Sequence, residues 1–104
     1  MLKINMEYRK GILFVRLKGN LNKYTVRSLN NYLIPVIDNN GIKYLVYNLK
    51  AVTDIDNYGK DSLKKGKNAC IKNKGDCFIC NTTLNLNEFN IVSDELAVLS
   101  LIKV

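Results

Sequence analysis

The fold of this chain is decided by an apolar run near its middle, Ile42-Lys43-Tyr44-Leu45-Val46-Tyr47-Asn48-Leu49. The run is rich in β-branched and aromatic residues and is apolar at nearly every step. A strand has this composition when both of its faces are covered, as in the centre of a parallel sheet. We therefore expect an α/β protein in which helices pack over this strand.

The residues before this run predict a β-hairpin followed by a helix. Asn5–Tyr8 and Ile12–Leu17 have strand character and flank a short turn that contains Gly11. From Thr25 to Asn39 the apolar residues recur at helical spacing, and the glycine that follows is a suitable stop. Because Pro35 lies inside this helix, we expect a kink or a broken turn there.

The residues after the central run predict further alternation of helix and strand. We expect a loop at Lys50–Asp56, a lysine-rich helix at Asn57–Asn73 and a buried strand at Cys77–Cys80. Thr83–Val92 fits a short helix, and Ala97–Lys103 fits a last strand. The predicted order is β-β-α-β-α-β-α-β, which implies a mixed, mostly parallel sheet of about five strands with helices packed on it.

The overall composition bounds the class of protein. A chain of 104 residues with 47% apolar and 24% charged residues predicts a single globular domain, 1–104. No apolar run approaches the roughly 20 residues that cross a bilayer, and the charged start does not resemble a signal peptide. We therefore expect a cytoplasmic protein with no membrane insertion. Since the chain has no histidine, imidazole catalysis and most catalytic zinc sites are excluded.

Other catalytic signals are also missing from the sequence. It contains no phosphate-cradling glycine loop and no carboxylate pair in a cleft-forming context. Asp54 and Asp56 are adequately explained as loop and helix-capping residues. We therefore predict a protein that is not an enzyme and that needs no cofactor.

The net charge of +7 raises the question of nucleic-acid binding. Lysine accounts for 13 of the 16 basic residues, whereas arginine and stacking aromatic residues are scarce in the basic stretches. A solvated lysine surface therefore explains the charge better. A small basic nucleic-acid-binding protein, using the helix that contains residues 60–74, stays as an alternative function.

Three cysteines suggest neither a disulfide framework nor a metal site. Cys77 and Cys80 have C-x-x-C spacing, but on a strand their side chains point to opposite faces. A redox pair belongs at a helix N-terminus, and zinc would need a second pair of ligands. We predict that these thiols and Cys70 are buried and that no metal is bound.

The turn between the central strand and the lysine-rich helix is the candidate functional site. Ligand sites in parallel sheets lie at the carboxyl ends of the strands. Either Asp56 or Asn57 is well placed as the N-cap of the helix, because its side chain can accept from free backbone N–H groups. The first turn of such a helix also stabilises a phosphate. The turn is therefore either a simple capped helix start or a recognition site.

Three stretches of the chain carry a family resemblance. Val15-Arg16-Leu17-Lys18-Gly19-Asn20-Leu21 is similar to an R-L-x-G-x-L motif, and Gly75 precedes the next strand. Tyr44–Gly59 reads as an apolar strand ending in Asn-Leu, a short loop, and Asp-x-x-Gly at the start of a helix. Over about Leu2 to Cys80 the chain resembles the STAS domain of bacterial anti-sigma factor antagonists, most of all the small sporulation type. The chain stops where that family usually adds a final helix.

The resemblance implies regulation of transcription by partner exchange. A STAS antagonist binds an anti-sigma factor that is also a serine-protein kinase, and this binding displaces the sigma factor. The kinase inactivates the antagonist by phosphorylating a hydroxyl in an Asp-Ser-Ser-Gly or Asp-Ser-Thr-Gly motif. A phosphate adds about −1.5 to −2 charge, which can break a closely packed interface.

This chain departs from the family at the phosphorylated position. Asp56 and Gly59 match the motif, but Asn57 and Tyr58 occupy the two hydroxyl positions. The family's phosphoacceptor position is therefore Tyr58, whose hydroxyl projects several ångströms farther than that of serine and is poorly placed for a serine kinase. The nearest alternative hydroxyls are those of Ser62 and Thr53.

The resemblance also implies which residues contact the partner: Asp56, Asn57, Tyr58, Gly59, Lys60, Ser62 and Lys64. Tyr58 is a natural interface anchor. Because the lysines make this surface cationic, we expect an acidic partner and salt-sensitive binding. An alternative is a STAS scaffold subunit of another signalling or transport assembly without a phosphoswitch. We expect a monomer or a weak homodimer.

Overall fold

The computed structural model describes residues 1–82, 86 and 88–102. The elements are β1 (Lys3–Arg9), β2 (Ile12–Leu21), α1 (Val26–Asn40), β3 (Tyr44–Ile55), α2 (Asn57–Lys72), β4 (Asp76–Cys80), β5 (Asn90–Val92) and α3 (Glu95–Leu101). Within this part of the chain, no helix has both the length and the apolar character that a bilayer crossing requires.

The strands form a single mixed sheet in the order β1-β2-β3-β4-β5. The β1–β2 hairpin is antiparallel, and the other neighbours run parallel. The predicted central strand is confirmed, since β3 lies between β2 and β4. Val15, Tyr47 and Ile79 occupy one row across these three strands.

Both faces of the sheet are covered, which explains why the first half of β3, Tyr44–Leu49, is apolar at nearly every position. Helices α1 and α2 pack on one face, and α3 packs on the other. The first face buries Val15, Leu29, Leu33, Ile37, Leu45, Tyr47, Leu63, Cys70, Cys77 and Ile79. The second face buries Ile12, Phe14, Val46, Cys80, Val98 and Ile102.

The types predicted for the last two elements were wrong. The short helix predicted at Thr83–Val92 is in part the strand β5, and the strand predicted at Ala97–Lys103 is in part the helix α3, so the order is β-β-α-β-α-β-β-α. Asp94 caps α3 by accepting from the backbone N of Ala97 at 2.9 Å, and residues 98 and 102 are buried at helical spacing. A final helix is therefore present, contrary to the expectation that the chain stops before one. Residues 83–85, 87 and 103 of these predictions lie outside the described residues.

The predicted loop at Lys50–Asp56 was also wrong, because β3 continues to Ile55. Its polar end pairs in parallel with the end of β2, up to Leu21 opposite Ile55, across two register shifts. Both strands are therefore longer than their apolar segments. Helix α1 likewise runs unbroken through Pro35, which is exposed, so the carbonyl that lacks an N–H partner can be solvated.

Candidate partner-binding site

The start of α2 is fixed by the side chain of Asp56. Its Oδ1 accepts from the backbone N of Gly59 at 2.9 Å, and its carbonyl accepts from the backbone N of Lys60 at 3.0 Å. The extended backbone of Asp56 is typical of an N-cap. Of the two predicted caps, Asp56 is therefore the one that the chain uses.

The same aspartate joins α2 to the turn that precedes α1. Its backbone N donates to the carbonyl of Leu21 at 3.2 Å, and its Oδ2 accepts from the backbone N of Lys23 at 3.3 Å. Nearby, the hydroxyl of Thr53 donates to Oδ1 of Asn20 at 2.6 Å. The end of β2, the end of β3 and the start of α2 thus form one hydrogen-bonded surface.

Gly59 is required by a close backbone approach. A Cβ at this position would lie 2.3 Å from the carbonyl O of Leu21 and 2.7 Å from Cγ1 of Ile55. Neither distance is possible between real atoms, and the backbone oxygen cannot rotate away. The Asp-x-x-Gly pair therefore has a structural role here, which is to hold the helix start against the end of β2.

The predicted contact residues differ in their exposure and in the contacts that they make within the chain. Asn57, Tyr58 and Lys60 are exposed in the first turn, with Tyr58 57% exposed. Lys64 is exposed one turn later, and its Nζ forms a salt bridge with Glu88 at 2.9 Å. The Glu88 carboxylate raises the pKa of Lys64.

The two alternative hydroxyls lie in different environments. Ser62 is only 2% exposed, and its hydroxyl donates to Oδ1 of Asn30 in α1 at 2.6 Å. This hydrogen bond links the two helices, so a kinase would reach Ser62 only after the helix pair opened. Thr53 is exposed on the end of β3. Of the predicted residues, the structure thus brings Asn57, Tyr58, Lys60, Lys64 and Thr53 to the surface.

A cavity of about 330 Å³ lies beside the exposed turn. The residues that line it are Asn57, Lys60, Asp61, Lys64, Leu86, Glu88 and Phe89. Lys67 of α2 contacts two of these lining residues, because its Nζ donates to the carbonyl of Glu88 and lies 5.3 Å from the ring centre of Phe89. Residues 86, 88 and 89 could not be assigned to the site from the sequence, because only the tertiary fold brings them to α2.

Arg16, the arginine of the R-L-x-G-x-L-like motif, fastens α3 to the sheet. Its guanidinium donates to both carboxylate oxygens of Glu95, at 2.9 and 2.8 Å, and to Glu7 at 3.0 Å. Asn48 donates to the same Glu95 carboxylate at 2.8 Å. The hydrogen bonds from Arg16 hold the pKa of Glu95 below its usual value.

The cysteines are buried, as predicted. Cys77 and Cys80 belong to the cores on opposite faces of the sheet, and Cys70 packs near Cys77. Burial raises the pKa of Cys70 and of Cys80 to about 12, so both thiols are protonated at neutral pH. Among the described residues, no group of three or more acidic or cysteine side chains could hold a metal.

The sheet order, the edge hairpin and the capped helix after β3 define a small α/β domain of the STAS type. Residues 3–89 match the STAS domain family. The chain belongs to the STAS domain family.

Solved structures share this fold over nearly their whole length. The anti-sigma factor antagonist SpoIIAA in its unphosphorylated form matches with a TM-score of 0.80 and 13% identity, over 95% of this chain and 97% of that chain. Phosphorylated Bacillus SpoIIAA matches with a TM-score of 0.73 and 14% identity, over 96% of this chain and 100% of that chain. An anti-sigma factor antagonist from Mycobacterium paratuberculosis matches with a TM-score of 0.79 and 16% identity, over 97% of this chain and 93% of that chain. The sequence identities are low, so these likenesses show the fold.

Proposed function

We propose that this protein is an anti-sigma factor antagonist that binds a cytoplasmic anti-sigma factor with serine-kinase activity and so releases a sigma factor. The observation that carries the proposal is the exposed first turn of α2 on a STAS fold, with the side chains of Asn57, Tyr58 and Lys60 in solvent. The family match and the antagonist-like structures support the same function.

The exposed turn is suited to binding because its backbone is already ordered. Asp56 and Gly59 fix the turn against β2, so little conformational entropy is lost on association. Tyr58 offers a large, half-exposed aromatic ring as an anchor. Lys60 adds a positive charge that attracts an acidic partner surface.

The tyrosine at the motif position changes the expected regulation. In the family reaction, the serine oxygen bonds to the γ-phosphorus of ATP, the bond to ADP breaks, and the hydroxyl proton is released. The hydroxyl of Tyr58 lies several ångströms farther from the backbone, out of line with a nucleotide positioned for serine. The antagonist would then stay active while ATP is present. Phosphate found on the exposed Thr53 would show instead that the acceptor has moved.

The proposal is tested by titration calorimetry against purified anti-sigma kinases of the same organism, with ADP or ATP, followed by intact mass measurement. We expect saturable binding with either nucleotide and no phosphoryl group on the wild type. The Tyr58→Ser variant should gain one phosphoryl group with ATP. Absence of binding to every kinase would contradict the proposed function, and phosphate on Tyr58 would contradict the proposed loss of the switch.

The charge of the surface gives a second test. We expect the affinity to fall between low and high salt, because Debye screening shortens from about 30 Å at 0.01 M to about 3 Å at 1 M. Lys60→Gln should flatten this dependence. Lys72→Gln, at the far end of α2, is the matched control, and equal effects of the two substitutions would remove Lys60 from the interface.

A further inference from the structure

We infer that Tyr24 is a second aromatic anchor of this binding surface and that it docks on an acidic region of the same partner. The inference rests on the proposed function and extends the site beyond α2. It concerns residues 20–25, which comprise the end of β2 and the turn before α1 and which sequence reasoning did not include in the site.

The turn is physically part of the α2 start. The carbonyl of Leu21 accepts from the backbone N of Asp56, and the backbone N of Lys23 donates to the Asp56 carboxylate. The Cβ position of Gly59 abuts the same Leu21 carbonyl. A partner that covers the first turn of α2 therefore meets residues 20–25 directly beside it.

The turn is also rigid, so Tyr24 is presented in a defined position. The backbone N of Tyr24 donates to Oδ1 of Asn22 at 2.9 Å. The hydroxyl of Thr25 accepts from the backbone N of Asn22 at 3.0 Å and donates to the carbonyl of Asn20 at 2.9 Å. An aromatic side chain on a pre-ordered turn loses little entropy on binding.

The Tyr24 ring lies outside the hydrophobic core. Tyr24 is 80% exposed, more than Tyr8, Tyr32 or Tyr58. Aromatic side chains are enriched at the centres of protein interfaces, so an exposed ring next to the proposed contact surface is suited to bind the partner. The exposed ring is therefore available to a partner that covers the neighbouring first turn of α2.

The cations closest to Tyr24 favour a partner with an acidic surface. The Nζ of Lys23 lies 5.1 Å from the ring centre, and the next helical turn carries exposed Arg27. The salt bridges found among the described residues involve Arg16 and Lys64, which leaves these two cations free for a partner. A partner surface with carboxylates around an aromatic-accepting pocket complements this pattern.

The test compares Tyr24→Ala with Tyr8→Ala in titrations against the kinase that binds the wild type. Tyr8 is 63% exposed and pairs with Leu13, eight residues and about 26 Å along β2 from Leu21. We expect Kd to rise tenfold or more for Tyr24→Ala and less than twofold for Tyr8→Ala. Because Tyr24 makes no buried contact, its loss should leave the thermal unfolding midpoint unchanged.

Each outcome decides between the two proposals. If the wild type binds and the two variants bind equally well, the second anchor is refuted while the proposed function stands. If the wild type binds no anti-sigma kinase, both proposals fall. A Tyr24→Phe variant that keeps wild-type affinity assigns the contact to the ring, and a tenfold loss in that variant would overturn the aromatic anchor in favour of the hydroxyl.

Discussion

Gly66 of α2 lies directly against Tyr47 of β3, and this close contact can be tested by a double-mutant cycle. A Cβ at Gly66 would lie 2.0 Å from the Tyr47 hydroxyl oxygen. That oxygen is buried and has no hydrogen-bond partner among the described residues. The substitutions are Gly66→Ala, Tyr47→Phe and the pair. Because α2 carries the proposed binding surface, the cycle also tests how that surface is positioned.

The size of each effect follows from the contacts. In Gly66→Ala the clash costs about 1–3 kcal/mol, and the better helix propensity of alanine offsets about 1 kcal/mol. Tyr47→Phe loses no hydrogen bond, so we expect it to be neutral or stabilising by up to about 1 kcal/mol. In the double variant the nearest contacts of the new methyl are Leu45 Cδ2 at 3.0 Å and the ring Cζ at 3.1 Å, which small shifts relieve. The double variant should therefore be about as stable as the wild type.

Urea denaturation followed by circular dichroism measures all four proteins under one protocol. We expect a coupling energy of about 1 kcal/mol or more, with the phenylalanine rescuing the alanine. Equal slopes with denaturant would show that the compactness of the states is unchanged. Additive effects of the two substitutions would refute the reasoning, because the hydroxyl would then not be the group that the methyl meets.

Three further predictions concern the cap, the α3 anchor and the thiols. Asp56→Ala should cost about 1 kcal/mol of unfolding free energy, and Asp56→Asn much less, as measured by the same denaturation; equal losses would argue against a capping role. Because Arg16 lowers the pKa of Glu95, that carboxylate stabilises the fold above its unfolded pKa of about 4.3 and ceases to do so as pH falls through its lower folded pKa. Glu95→Gln should thus cost about 1 kcal/mol at pH 7, after screening of the partly exposed pair, and progressively less as the pH falls below about 4.3; a pH-independent difference would contradict the ion pair. Burial raises the pKa of Cys70 and Cys80 to about 12, so a thiol reagent at pH 8 should label the folded protein slowly and the urea-unfolded protein at all three cysteines; fast labelling of the folded protein would contradict their burial.

The central elements could be predicted from sequence because their patterns are local. The apolar run of β3 is typical of a strand that is buried on both faces. The apolar residues of α1 recur at the spacing of a helix that is buried on one face. The last strand was predicted wrongly because Ala97–Ile102 is a short, nearly continuous apolar run, which fits a buried strand as well as a helix. The deciding signal was the capping side chain of Asp94, three residues before Ala97.

The site could be predicted only in part, for a related reason. The cap at Asp56 and the exposure of Tyr58 follow from their place at the start of a helix. The bond between Lys23 and Asp56 joins residues 33 apart in sequence, and the Lys64–Glu88 bridge depends on the path of a loop. The burial of Ser62 against α1 likewise depends on the packing of two helices. Such long-range contacts leave no periodic signal in a single sequence.

Sigma-factor release tests the central claim most directly. A fluorescently labelled sigma factor is bound to its anti-sigma kinase, and this protein is added in the presence of ATP while anisotropy is recorded. We predict a fall to the value of the free sigma factor that persists for as long as ATP remains, and a weaker response with Tyr58→Ala. Unchanged anisotropy at saturating concentration with every anti-sigma kinase of the organism would contradict the account.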